Sequence, residues 1–197
     1  MLRLNVSLPV YYWSHRLLDL PVLLKWGPIP RGAHVLEVGC GAGKIARYLS
    51  PLVKCKSYTA IDIDPKMIAQ AESEAESLSR VIFQVADVCH LPFEDNFFDV
   101  VIELDVLHHL TDWKKGIREI HRVLKPKGKF LARDYSLESF TLPGIGLLLQ
   151  KILDHPYEQM YTPIEILSYI RKNGFDITHQ NDSSWMMLWQ AIKKEGK

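Results

Sequence analysis

Three observations predict an α/β protein on a doubly wound, mainly parallel sheet. Runs of strand composition alternate with segments of helical periodicity. No repeat, low-complexity tract or linker interrupts them. A glycine-rich turn, Gly39-Cys40-Gly41-Ala42-Gly43, joins the first strand to the following helix. Such sheets bind ligands beyond the carboxyl ends of their strands, so those ends are the places to look for chemistry.

Each element has its local reason. Residues 11–25 have helical composition disturbed by Pro21, and VLEVG (35–39) is a continuous buried-strand run. KSYTAIDI (56–63) is a second strand. Asp64-Pro65 then opens a helix, because Asp is a good N-cap and Pro fits the first helical position. Ile68, Ala71, Ala75 and Leu78 fall on one face of that helix. VIFQVA (81–86) and FFDVVIEL (97–104) are the third and fourth strands. A helix with Trp113, Ile117, Ile120 and Leu124 on one face leads into the turn Lys125-Pro126-Lys127-Gly128, and strand five is KFLARD (129–134). Thr162-Pro163-Ile164-Glu165 reads as a capping box for a helix ending at Asn173-Gly174. FDITHQ and WMMLWQAIK form a terminal hairpin.

A chain of 197 residues fits one α/β domain, and 47% hydrophobic with 24% charged residues is ordinary globular composition. A formal net charge of +1 exerts no general pull on nucleic acid or an anionic membrane. Cys40, Cys55 and Cys89 are odd in number and widely spaced, which argues against a disulfide framework or structural zinc and for a reducing compartment. The first residues lack the apolar run and cleavage site of a leader, and no stretch approaches the roughly 20 apolar residues that span a bilayer, so the expected location is cytoplasmic. His15, His90, His121, His155 and His179 show no metal-site spacing.

The glycine turn matches neither common phosphate fingerprint. The third glycine of G-x-G-x-x-G is replaced by Lys44, and Ile45 stands where a phosphate loop needs Ser or Thr. VLEVGCGAG instead resembles motif I of the class I S-adenosylmethionine-dependent methyltransferases. The resemblance continues through AIDIDPKMI, QVADVCHLPFEDNFFDVVIELDVLHHL and REIHRVLKPKGKFLARD, together about residues 33–134, and is closest to the branch with an LPF…FD…LHHL segment acting on small molecules. It implies a seven-stranded sheet with an antiparallel last strand, a Rossmann-like methyltransferase fold, and S-adenosyl-L-methionine as cofactor.

Residue by residue, the resemblance implies that the loop Gly39, Cys40, Gly41 and Gly43 passes under the methionyl part of the cofactor. Glu37 lies near its ammonium, or alternatively accepts bonds from the loop N–H groups. Asp62, 23 residues after Gly39, would hold both ribose hydroxyls, unless it is a turn residue. Ile63 would pack on adenine, Asp87 would accept from the adenine amine with the Val88 main chain reading the ring edge, and the Glu103 main chain would meet the methionyl amine. A general base is needed only if the accepting atom loses a proton. His108, His109 and Asp134 are candidates for that role; LHHL otherwise serves to pack its loop and cap the next helix.

The expected arrangement is a helical N-terminal cover (1–30), a cofactor core (33–134), an acceptor lid (135–161) and a terminal helix with hairpin (162–197). In the lid, Ile145, Leu148, Leu149 and Ile152 form an apolar helical face among Tyr135, Phe140, His155, Tyr157 and Tyr161. With Tyr11, Tyr12 and Trp13 it would close over the acceptor. The same face alternatively covers the sheet or forms a homodimer interface. The expected activity is methyl transfer to a small or medium-sized acceptor. Transfer to protein or RNA, or a non-catalytic cofactor-binding subunit, are the other readings.

Overall fold

The computed structural model describes residues 19–75, 78, 80–141, 157–182 and 186–196. Helix α1 (Leu20–Trp26) carries Pro21 in its first turn, where the missing N–H costs nothing. The earlier part of the expected N-terminal helix, with Tyr11, Tyr12 and Trp13, lies outside the described residues, as do Ile145, Leu148, Leu149, Ile152 and His155 of the expected lid.

Seven strands form one sheet: β1 (His34–Val38), β2 (Ser57–Asp62), β3 (Val81–Val85), β4 (Phe98–Leu104), β5 (Leu124–Asp134), β6 (Phe175–Asp182) and β7 (Met187–Lys193). Their order is β3-β2-β1-β4-β5-β7-β6. The first five pair in parallel, and β7 runs antiparallel to both β5 and β6. The expected doubly wound sheet with an antiparallel last strand is therefore present. Helices α2 (Lys44–Leu49), α3 (Pro65–Glu74), α4 (Trp113–Val123) and α5 (Pro163–Lys172) complete the longer elements.

Caps fall where the sequence places them. Asp64 accepts from Lys66 N at 2.8 Å, and Thr162 and Glu165 form the capping box of α5. On α4, Trp113, Ile117, Ile120 and Val123 are buried, each contributing roughly 1.5–3 kcal/mol. Two cores result, one per sheet face. The first sets α4 and α5 against Leu36, Val101, Phe130 and Trp189; the second sets α1, α2 and α3 against Val35, Tyr58, Val100 and Leu131.

Three boundaries differ from the sequence expectation. Helix α3 stops at Glu74 with Ala75 as its C-cap, so Leu78 lies beyond it. Leu124 belongs to β5 rather than to the α4 face, because it pairs with Phe98. The expected turn at 125–128 is an interruption inside β5: Phe98 faces Leu124, Val100 faces Lys129, and the residues between loop out with Lys127 at φ 64°. Cross-strand pairing on both sides of the loop overrides its turn chemistry.

Candidate active site

A cavity of about 680 Å³ opens at the carboxyl ends of β1, β2 and β4, within the roughly 300–1,000 Å³ of small-molecule sites. Glu37, Gly39, Cys40, Gly41, Asp62, Ile63, Asp87 and Val88 line it, as does His109. Gly43 and Glu103, also expected there, are not among the lining residues; nor are His108 and Asp134.

The glycine loop is shaped by close approach. A Cβ on Gly39 would meet Val106 Cγ2 at 2.1 Å, and Gly39 itself sits at φ 68°. Gly43 is the N-cap of α2, and a Cβ there would meet Phe83 at 2.6 Å and Ala71 at 2.9 Å, so its role is to let α2 start against α3 and β3. The Gly41 N–H donates to Asp62 Oδ2 at 2.8 Å, while Asp62 Oδ1 accepts from Asp64 N at 2.9 Å. Asp64 does cap α3, yet Asp62 is not left idle: it ties the glycine loop to the strand-two turn and keeps further lone pairs for a ligand.

Glu37 does not hold the loop N–H groups. It is buried and accepts from Tyr58 Oη at 2.7 Å. Burial pushes its carboxyl up to about 7, Tyr58 pulling the other way. Burial likewise keeps the Cys40 thiol neutral by raising it strongly. Asp87 accepts from Cys89 N at 2.8 Å and from His90 Nδ1 at 3.2 Å. Its partial burial acts upward, but those bonds and the neighbouring His90 outweigh it and hold the carboxyl below its usual range. Ile63 is 70% exposed at the rim, an apolar surface open to a ligand.

Glu103 stands behind the cavity wall. Its Oε1 accepts from Val106 N at 2.6 Å and Leu107 N at 3.3 Å, shaping the short helix Leu107–His109. Burial first, then Asp134, raises this carboxyl well above its ordinary value. His108 is buried and hydrogen-bonds Asp134 through Nδ1. Sequence reasoning missed Met67, Gln70, Leu104, Asp105, Val106 and Leu110 in the lining. Met67 and Gln70 sit one turn apart on α3, a spacing legible in the sequence. Asp105, at φ 61°, takes a left-handed backbone that Asp tolerates, and pairs with buried Arg133, which also holds Asp19 at 2.6 Å.

Residues 36–132 match the family model described as a methyltransferase domain. A 27-O-demethylrifamycin SV methyltransferase of Amycolatopsis mediterranei is 35% identical over 113 residues, 56% of this chain and 41% of that protein. A ubiquinone/menaquinone biosynthesis C-methyltransferase of Rickettsia bellii is 34% identical over 111 residues, 53% of this chain and 45% of the relative. The chain thus aligns with less than half the length of these curated relatives. A crystal structure of a Pyrococcus horikoshii protein shares the fold, with a TM-score of 0.79 and 24% identity over 96% of this chain and 94% of its own. No helix among the described residues is long and apolar enough to cross a membrane. Motif, strand order and matched domain agree that residues 36–132 carry a methyltransferase domain of the class I S-adenosylmethionine-dependent type.

Proposed function

We propose that this protein transfers the methyl group of S-adenosyl-L-methionine to a small or medium-sized acceptor. The observation that carries the reading is a cavity with one carboxylate just at or beyond the end of each of β1, β2 and β3: Glu37, Asp62 and Asp87. Those groups suit the three polar parts of the cofactor. Glu37 takes the ammonium, Asp62 shares two ribose hydroxyls, and Asp87 with the Val88 main chain takes the adenine edge. Ile63 offers an apolar face to the ring, and Gly41 has no atom within 4 Å of where a Cβ would stand, leaving room for the methionyl chain. The Glu103 main chain, at the end of β4 beside β1, borders the same end.

When bound, the cofactor supplies an activated methyl group on a sulfonium. The chain's share is to hold, orient and exclude water, which supplies much of the rate for an in-line displacement. The names of the relatives, one an O-demethylated rifamycin methyltransferase and one a quinone C-methyltransferase, support a small-molecule acceptor. We place residues 135–161 as the acceptor cover, and three free cysteines fit a reducing cytoplasm.

Titration calorimetry with S-adenosylmethionine, followed by acceptor screening with methyl-labelled cofactor, tests the reading. Binding followed by label on a small molecule is expected; absence of binding sinks it. Leu149→Ser should then impair turnover at unchanged cofactor affinity. If that variant instead dissociates from dimer to monomer, the segment is an interface and not a lid.

A further inference from the structure

Two polar chains run from adjacent residues of the glycine loop to α3. In the first, the Gly41 N–H donates to Asp62, whose other oxygen accepts from Asp64 N just before the helix. In the second, Arg47 of α2 donates from Nη1 to the Ala42 carbonyl at 2.8 Å and pairs through Nη2 with Glu74 Oε2 at 2.6 Å. Glu74 Oε1 then accepts from Gln70 Nε2 at 2.7 Å. The first chain passes through Asp62 and the second ends in Gln70, and both side chains line the cavity. Gln70 is so far without a role there.

The second chain settles the direction of the Gln70 amide. A carboxylate only accepts, so the amide turns its NH2 to Glu74. Glu74 stays ionised for this: the Gln70 bond first, and the Arg47 charge after it, hold its carboxyl below the ordinary range against slight burial. One Nε2 N–H is thus taken, while the other N–H meets no acceptor among the described residues. An exposed Gln–Glu pair one turn apart adds little to stability. Its consequence here is to hold a long, rotamer-rich side chain in one place at the cavity lining.

We propose that Gln70 is a further binding residue of this site, donating its second Nε2 N–H to one oxygen of the ribose diol that Asp62 holds, with Glu74 and Arg47 as its positioning residues. The proposal rests on the methyl-transfer reading above. Asp62 can accept the protons of two ribose hydroxyls, but a carboxylate returns nothing to the hydroxyl oxygens. Their lone pairs lose water when the ligand is enclosed, and a donor fixed nearby replaces it. Asp62 precedes α3 by three residues and is tied to its N-cap, while Met67 and Gln70, one turn apart, carry the lining along that helix. An acceptor and a donor therefore stand on the strand and helix that flank one turn.

A purely structural role would read differently. If the second chain only braced α2 against α3, cutting it would lower stability and disturb every ligand alike. If it aims Gln70, cutting it matters only where the ligand carries the hydroxyl that Gln70 meets.

The probes are S-adenosylhomocysteine and its 2′-deoxy and 3′-deoxy analogues, titrated calorimetrically into wild type, Gln70→Leu, Glu74→Leu and the double variant, with thermal unfolding of each. Gln70→Leu should bind S-adenosylhomocysteine about three- to tenfold more weakly, the worth of one neutral hydrogen bond, at a nearly unchanged melting temperature. With at least one of the deoxy analogues that loss should vanish. Glu74→Leu should reproduce most of the loss by itself and add nothing to Gln70→Leu, since it acts through that side chain. Wild-type affinity in Gln70→Leu, an equal loss on all three ligands, or additive effects of the two substitutions would each overturn the proposal. Failure of wild type to bind any of the three is a separate result that would sink the methyl-transfer reading itself.

Discussion

At the scale of single residues, buried Glu37 and half-buried Asp62 are the two carboxylates whose proposed ligand roles are most directly testable. Glu37 is raised from 4.5 to about 7, chiefly by burial. A folded-state value above the unfolded one adds stability that is complete below pH 4.5 and lost as pH rises to about 7, here on the order of 3 kcal/mol. Glu37→Gln should therefore flatten that slope and be more stable than wild type at pH 8, as read by urea unfolding at pH 5 and 8. An ammonium needs the ionised form, so cofactor affinity of wild type should climb through pH 7, with proton release on binding below it. Calorimetry in two buffers of different ionisation enthalpy checks this, and Glu37→Gln should show neither effect. Asp62 already holds Gly41 N and Asp64 N. Asp62→Ala should lower S-adenosylmethionine affinity about ten- to a hundredfold, a loss of roughly 1.5–3 kcal/mol, through lost charged hydrogen bonds. Unchanged affinity in a folded variant would remove Asp62 from the site.

At the scale of elements, the glycine loop and the helix caps were legible because both are local. Alternating glycines, an Asp-Pro start and a Thr-x-x-Glu box each act within a few residues. Gly39→Ala combines a left-handed φ with a clash on Val106, and should destabilise the protein by about 2–4 kcal/mol. Adding Val106→Ala should recover only the steric part, because the backbone strain remains; thermal unfolding of the single and double variants measures the split. Element ends were less legible. The apolar spacing runs on to Leu78, yet α3 stops at Glu74, and Leu124 leaves the α4 stripe to pair with Phe98. Periodicity reports which face is apolar, while hydrogen bonding to a neighbour decides where an element stops.

For the molecule as a whole, the terminal hairpin, already paired to β5 through β7, gains a further tie to the centre from one side chain. Lys193 Nζ, at the end of β7, donates to Asn96 Oδ1, His121 O and Leu124 O, each at 2.8 Å. Two of those carbonyls belong to the end of α4 and the start of β5, where a cation complements the helix terminus. Lys193→Met leaves three inward acceptors without their donor and should lower stability by about 2–3 kcal/mol with the denaturant slope unchanged. A loss within 0.5 kcal/mol would show that water replaces the ammonium there.

The fold class, the strand and helix order, the glycine loop and the acids at the strand ends were all determined by the sequence itself. Periods of 2 and 3.6 and capping residues are local signals that survive without a tertiary frame. Tertiary structure decided the partners: Tyr58 on Glu37 across 21 residues, Tyr161 on Asp134 across 27, and His108 on Asp134 across 26. It also made Asp62 the side chain that holds the Gly41 N–H of the glycine loop. Buried polar groups pair with whatever the strand register brings within about 3 Å of them, and no spacing along the chain encodes that register.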